Sequence, residues 1–310
     1  MKTVGSLLAF ETMQVFWLRR LVWAACLMTI IVWAHPARAA AKSVLVVTVT
    51  KGYRHGSIPI AEKVLAELGQ KSGAYVVDYA RVEPGQPQFR GSNGKPDTEK
   101  VDAAISRVLA EKMNSQALSN YDAVIFANTT GELPLPDRQA FLDWLRSGKG
   151  FVGIHSATDT FHEFTPYVRM IGGEFFAHGP ERDAELTNED LECPACRHLP
   201  VTWKVFDEIY IFRNFEPRRV RSLLAANKEP NSGEPGNFPV SWSRTYGKGR
   251  VFYTSLGHRD DIWDPHTPAN YARKNPVEVA EAFQQHILAG IKWALRLEEW
   301  DAKGPTKSTP

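Results

Sequence analysis

Cysteine is scarce in this chain: three in 310 residues, and one of them, Cys26, falls in an N-terminal apolar run. The remaining pair, Cys193 and Cys196, is too few for a disulfide scaffold and alone makes a poor zinc site. Cys193-Pro194-Ala195-Cys196 has redox spacing but lies among Glu192, Arg197 and prolines, without the βα setting that redox chemistry uses. A local disulfide is its expected fate in an oxidising compartment. Also missing are a Gly-x-Ser-x-Gly elbow, a phosphate-cradling Gly-x-x-x-x-Gly-Lys-Ser/Thr loop and a His-Glu-x-x-His pair. Charge of one sign is missing too. Lys and Arg total 37 against 35 Asp and Glu, so neither nucleic acid nor an acidic membrane surface is expected as a partner.

Long hydrophobic runs are lacking as well. The apolar run from Leu21 to Trp33 is short for a membrane span. Arg19-Arg20 before it and Ala37-Arg38-Ala39 after it complete the three regions of a secretory signal over residues 1–39. The mature chain is expected to begin near Ala40 and to work, without a membrane span, in the periplasm or outside the cell. The polar stretch 298–310 reads as a tail.

What is present is a series of apolar runs alternating with helical patterns. Val44 to Thr50 reads as a buried strand, and Ile60, Val64, Leu65 and Leu68 form one face of a helix for which Ser57 is the expected N-cap. Tyr75 to Tyr79, Ala123 to Asn128 and Gly150 to Ile154 are further strands, separated by helices over 97–112 and 137–146. This alternation predicts an α/β fold with a mostly parallel central sheet flanked by helices. Residues 172–180 read as a loop, and Phe206 to Phe212 as one short strand. Tyr246-Gly247-Lys248-Gly249 signals a hairpin, and Val279, Phe283, Ile287, Ile291 and Leu295 mark a closing helix.

Three apolar runs end in histidine: His55, His155 and His258. In open α/β sheets, ligands bind at the carboxyl ends of the parallel strands. His178 lies just beyond, and Asp159, Glu208, Asp260 and Asp261 could supply carboxylates. Histidine and carboxylate without a reactive Ser or Cys suit acid–base chemistry or a metal site. Tyr53, Phe161 and Trp263, in loops near these exits, suggest a sugar-stacking wall, whereas Trp242 could equally be core.

At these residues the chain resembles the ThuA-like, or trehalose-utilisation, family. The matching pieces are Lys51-Gly52-Tyr53-Arg54-His55, Thr129-Thr130-Gly131, Gly153 to Phe161, and Tyr246 to His258. The resemblance spans about residues 43–297, a ThuA-like domain drawn at 42–297. It implies a fold similar to the class I glutamine amidotransferases, a flavodoxin-like three-layer sandwich. His155 takes the place of their nucleophilic Cys and His258 that of their catalytic His. Without the thiol no thioester forms, so glutaminase chemistry is excluded. Two departures stand out: Gly179 separates His178 from Pro180 where the family shows His-Pro, and Glu163 to Tyr167 replaces a tryptophan-rich segment.

The resemblance implies a role in breaking down trehalose-type disaccharides, with keto-sugars as intermediates. The expectation is an exported enzyme acting on a small carbohydrate. His155, His258 and Asp159 would be catalytic, with Asp159 orienting a histidine. Tyr53, His55, Thr130, Phe161, His178 and Trp263 would bind substrate, and His155, His178 and His258 would be candidate ligands for a divalent metal such as zinc. The alternative is a non-catalytic carbohydrate-binding protein on the same scaffold.

Overall fold

A computed structural model describes residues 40–268 and 270–301. The expected signal segment over 1–39 and the end of the expected tail lie outside the described residues. Strand β1 (Lys42–Val47) leads through a loop to α1 (Ile58–Ser72) and β2 (Tyr75–Ala80). Helices α2 (Thr98–Lys112) and α3 (Ser115–Leu118) precede β3 (Ala123–Ala127), and α4 (Arg138–Arg146) leads to β4 (Gly150–Ile154). After α5 (Thr165–Ile171) come six strands: β5 (Glu174–His178), β6 (Arg182–Asn188), β7 (Thr202–Asp207), β8 (Tyr210–Arg213), β9 (Arg221–Lys228) and β10 (Pro235–Tyr246). Strand β11 (Gly249–Thr254), α6 (Asp260–Trp263) and α7 (Val277–Ala294) close the fold.

Among the described residues, the main sheet has nine strands in the order β2-β1-β3-β4-β11-β10-β9-β6-β7. The first five are parallel to one another, and the rest extend the sheet in antiparallel fashion. Strand alternation divides the core into two layers. Val44, Val46, Ile125 and Phe252 meet the α1 and α7 face, including Leu65, Phe283 and Ile287. Leu45, Val47, Val124, Phe126 and Phe151 meet Ile105, Leu109, Phe141 and Leu142 of α2 and α4 on the other face. The result is a three-layer α/β sandwich with a mostly parallel central sheet. Among the described residues, no helix is long and apolar enough to cross a membrane.

Three local expectations are corrected. Phe206 to Phe212 is two strands, with β7 in the main sheet and β8 paired to β5 in a separate two-stranded sheet. Residues 174–178, read as loop, are β5. Ser57 does not cap α1 with its side chain; its hydroxyl donates to the Gly257 carbonyl at 3.0 Å, tying the β1 and β11 exits together.

Candidate functional site

Four chain segments deliver side chains to the carboxyl edge of the parallel strands. The β1 exit carries Tyr53 and His55, His155 follows β4, and His258 follows β11. Glu208 comes from the break between β7 and β8. His155 Nε2 lies 3.1 Å from His55 Nε2, 3.3 Å from His258 Nδ1 and 2.9 Å from the Tyr210 hydroxyl. Glu208 Oε2 is 3.6 Å from His155 Nε2 and 3.4 Å from His258 Nδ1, while its Oε1 is 2.9 Å from His178 Nδ1. One donor atom from each of His55, His155, Glu208 and His258 lies within 4.8 Å of the others, so these four could hold a metal ion. A cavity of about 470 Å³ opens here, with Tyr53, Asp159, Phe175, His178 and Tyr210 among its walls. That volume suits a small molecule.

Backbone geometry explains the convergence. β4 is hydrogen-bonded on both sides, by β3 and β11, so an apolar run fills it until His155. At His155 the chain turns sharply with φ 51°, a left-handed conformation that non-glycine residues adopt at a cost of about 1–3 kcal/mol. Gly257 makes the matching turn after β11 at φ 123°, with its N–H held by Asp207 Oδ2 at 2.7 Å. Burial pushes the Asp207 carboxyl up to about 7, outweighing backbone hydrogen bonds and the His258 charge, which lower it.

Burial, reinforced by repulsion from His258, lowers His55 to about 4. Burial and the charges of His55 and His258 drive His155 well below the ordinary imidazole value. Burial also opposes charge on His258, but its hydrogen bond to Glu208 and the neighbouring carboxylates prevail and raise it. With no ion bound, two imidazoles are therefore neutral, the form that binds metals or accepts protons.

A family model described as "Trehalose utilisation", ThuA, matches residues 43–294. The chain belongs to the ThuA family. Among solved structures, a ThuA-like protein from Parabacteroides merdae is 19% identical, with 87% of this chain and 96% of that one covered and a TM-score of 0.59. A ThuA-like protein from Bacteroides uniformis is 18% identical, with coverage of 82% and 91% and a TM-score of 0.52. At these identities the likeness shows that the fold is shared. A search of curated proteins finds no match to the chain.

In this ThuA chain the expected site residues divide into two groups. His55, His155 and His258 come together, and Tyr53, 68% exposed, lines the cavity beside them. His178 lines the cavity but contacts Glu208 rather than joining the other histidines, so the expected metal set changes to His55, His155 and His258 with Glu208. Asp159 also lines the cavity, but it orients none of these histidines. Its Oδ1 is 2.7 Å from His162 Nε2, and His162 Nδ1 is 2.7 Å from Glu174 Oε1.

Three residues expected to bind substrate are buried and do not line this cavity. Phe161 is buried against Phe126 and Tyr167. Trp263 is buried against Phe283 and donates its indole N–H to the Gly257 carbonyl at 2.9 Å, buttressing the His258 loop. Thr130 accepts from the Gly52 N–H and donates to the Tyr53 carbonyl, stapling the His55 loop. Trp242 is likewise core.

Of the other carboxylates, Asp261 is consumed by Arg259, Lys274 and Asn275. Cys193 and Cys196 are free, buried thiols rather than a disulfide, and burial raises Cys196 well above its usual value. Tyr210, Phe175 and His162 are site residues that sequence reasoning missed. A second cavity, about 510 Å³, lies between α1 and α2. Its Arg54 and Arg81 are already paired with Glu83 and Glu62, and it gathers no comparable set of donors.

Proposed function

We propose that this chain is an exported carbohydrate-active enzyme that binds a sugar or keto-sugar derived from a trehalose-type disaccharide. In this reading it moves a proton next to the sugar carbonyl in the cavity at the sheet's carboxyl edge. The observation that carries the reading is the convergence of His55, His155, His258 and Glu208 from four segments beside that cavity. Packing alone gives no reason to bury so many titratable groups together beside one cavity, where each is costly away from water unless it is hydrogen-bonded or ligates an ion. The family's link to trehalose utilisation supports the substrate class.

Asp159 and Tyr53 supply the remaining groups for the substrate. His162 holds one Asp159 oxygen, which leaves the other for a sugar hydroxyl or for the proton beside the carbonyl. Tyr53, exposed at the cavity, offers a ring face to the apolar C–H surface of a sugar. His155 stands at the strained turn in place of a thiol, so no thioester forms there.

The test is turnover of trehalose, related disaccharides and their keto forms by wild type, Asp159→Asn and Tyr53→Ala. Asp159→Asn is expected to lower kcat by about 10²–10⁴-fold, the usual contribution of a general base. Tyr53→Ala is expected chiefly to raise KM. Binding without turnover in wild type, with binding unchanged in His155→Ala, would contradict an enzyme and favour a non-catalytic sugar-binding protein.

A further inference from the structure

At the heart of the cluster, one atom has more neighbours than it can satisfy. The Ser255 carbonyl, 2.7 Å from His155 Nδ1, can only accept, so Nδ1 carries the proton and Nε2 presents a lone pair. That lone pair faces His55 Nε2, His258 Nδ1 and the Tyr210 hydroxyl at 3.1, 3.3 and 2.9 Å, with Glu208 Oε2 at 3.6 Å. A single acceptor cannot serve this many partners. Three ring nitrogens and a carboxylate oxygen that converge on one point can bind a cation once the protons they share are displaced.

The spacings carry the same message. Metal–ligand bonds of about 2.0–2.1 Å in a tetrahedron place neighbouring donors about 3.3 Å apart. Four of the donor pairs here measure 3.1, 3.3, 3.4 and 3.6 Å.

Each donor residue also has a partner on its far side, the outer shell that orients metal ligands. His155 Nδ1 has the Ser255 carbonyl, and His55 Nδ1 has Ser156 Oγ at 3.3 Å. His258 Nε2 has Glu181 Oε1 at 3.4 Å, and Glu208 Oε1 has His178 Nδ1 at 2.9 Å. Glu181 is itself fixed by Arg259. A chance surface cluster has no reason to be supported on every ligand.

We propose that His55 Nε2, His155 Nε2, His258 Nδ1 and Glu208 Oε2 bind one first-row divalent cation, with His178 and Glu181 as positioning residues outside it. Three imidazoles and one carboxylate suit zinc and its neighbours rather than calcium or magnesium, which prefer all-oxygen sites. The cation would face the cavity, where it could polarise a ligand's carbonyl oxygen. The inference deepens the proposed function, and its test needs no sugar.

Full-length protein stripped with chelator is titrated with Zn²⁺ by calorimetry and with Co²⁺ by visible absorption, with elemental analysis after dialysis. One equivalent is expected to remain bound. His258→Ala and Glu208→Gln are expected to weaken binding by more than about 100-fold, and Glu181→Gln by about 10-fold. His198→Ala, whose ring contacts the Ala282 carbonyl far from the cluster, is expected to bind as wild type does. Circular dichroism checks that each variant folds.

Binding of several weak equivalents, or affinity unchanged in both His258→Ala and Glu208→Gln, would overturn the inference. Loss of the inference in this way leaves the proposed function standing, because proton transfer by Asp159 needs no cation. Stoichiometric metal without sugar turnover would uphold the inference and count against that function.

Discussion

His286 shows how a histidine can be structural in a chain where three others converge at one cavity. It is fully buried, with Nδ1 2.7 Å from the Ala195 carbonyl and Nε2 3.3 Å from Ser241 Oγ, and burial lowers it to about 4. The ordinary value is 6.5 in the unfolded chain, so its contribution is present above pH 6.5 and lost as pH falls through about 4. Completing that change costs about 3 kcal/mol at roughly 1.4 kcal/mol per pKa unit. His286→Gln keeps a donor but does not titrate. Chemical denaturation at pH 7 and pH 4.5 is expected to show a smaller loss in the variant.

His162 has the opposite sign. Its hydrogen bond to Asp159, aided by Glu174 and opposed by burial, raises it to about 9. That stabilisation is present below pH 6.5 and lost as pH rises through about 9. The same denaturation assay at pH 7 and pH 10 is expected to show a loss in wild type that His162→Gln lacks. None of this was legible from His162 itself, because its two carboxylates come from a turn three residues back and from β5.

The strand exits are legible at the scale of elements because β1, β3, β4 and β11 are buried on both faces and read as apolar runs that stop at polar residues. The second half is harder to read. β6 has alternating exposed and buried positions with charged residues such as Asp183 and Glu185, so its composition resembles that of a loop. Glu208 could be named as a carboxylate, but the break that aims it into the cavity depends on β7 and β8 pairing with different partners. Aromatics were misread for a related reason: Phe161 and Trp263 lie outside strands, yet long-range packing buries them. Gly257 joins these elements. An added Cβ would lie 3.2 Å from both Ile154 and Trp263, at a φ of 123° that side chains rarely adopt. Gly257→Ala is expected to cost about 1–3 kcal/mol, read as a lower Tm, and to disturb His258 more than His55.

Across the whole molecule, the parallel sheet serves as a frame that brings distant parts of the chain to one edge. His55 and His258 lie about two hundred positions apart in sequence, yet their rings are 5.3 Å apart between centroids. A cation bound there would cross-link the β1, β4 and β11 exits and the β7–β8 break in the folded state only. Zinc at 100 times its Kd is then expected to stabilise the fold by about 2.7 kcal/mol, seen as a higher Tm that chelator reverses. The family and fold were legible because the motifs lie on the parallel strands, which also position the site.

The proposed proton transfer is tested most directly by solvent deuterium exchange at the C–H beside the carbonyl of a keto-disaccharide, followed by proton NMR. Wild type is expected to catalyse exchange, and Asp159→Asn to slow it by at least about 100-fold. Exchange no faster than in buffer, or equally fast in Asp159→Asn, would contradict proton transfer at this cavity.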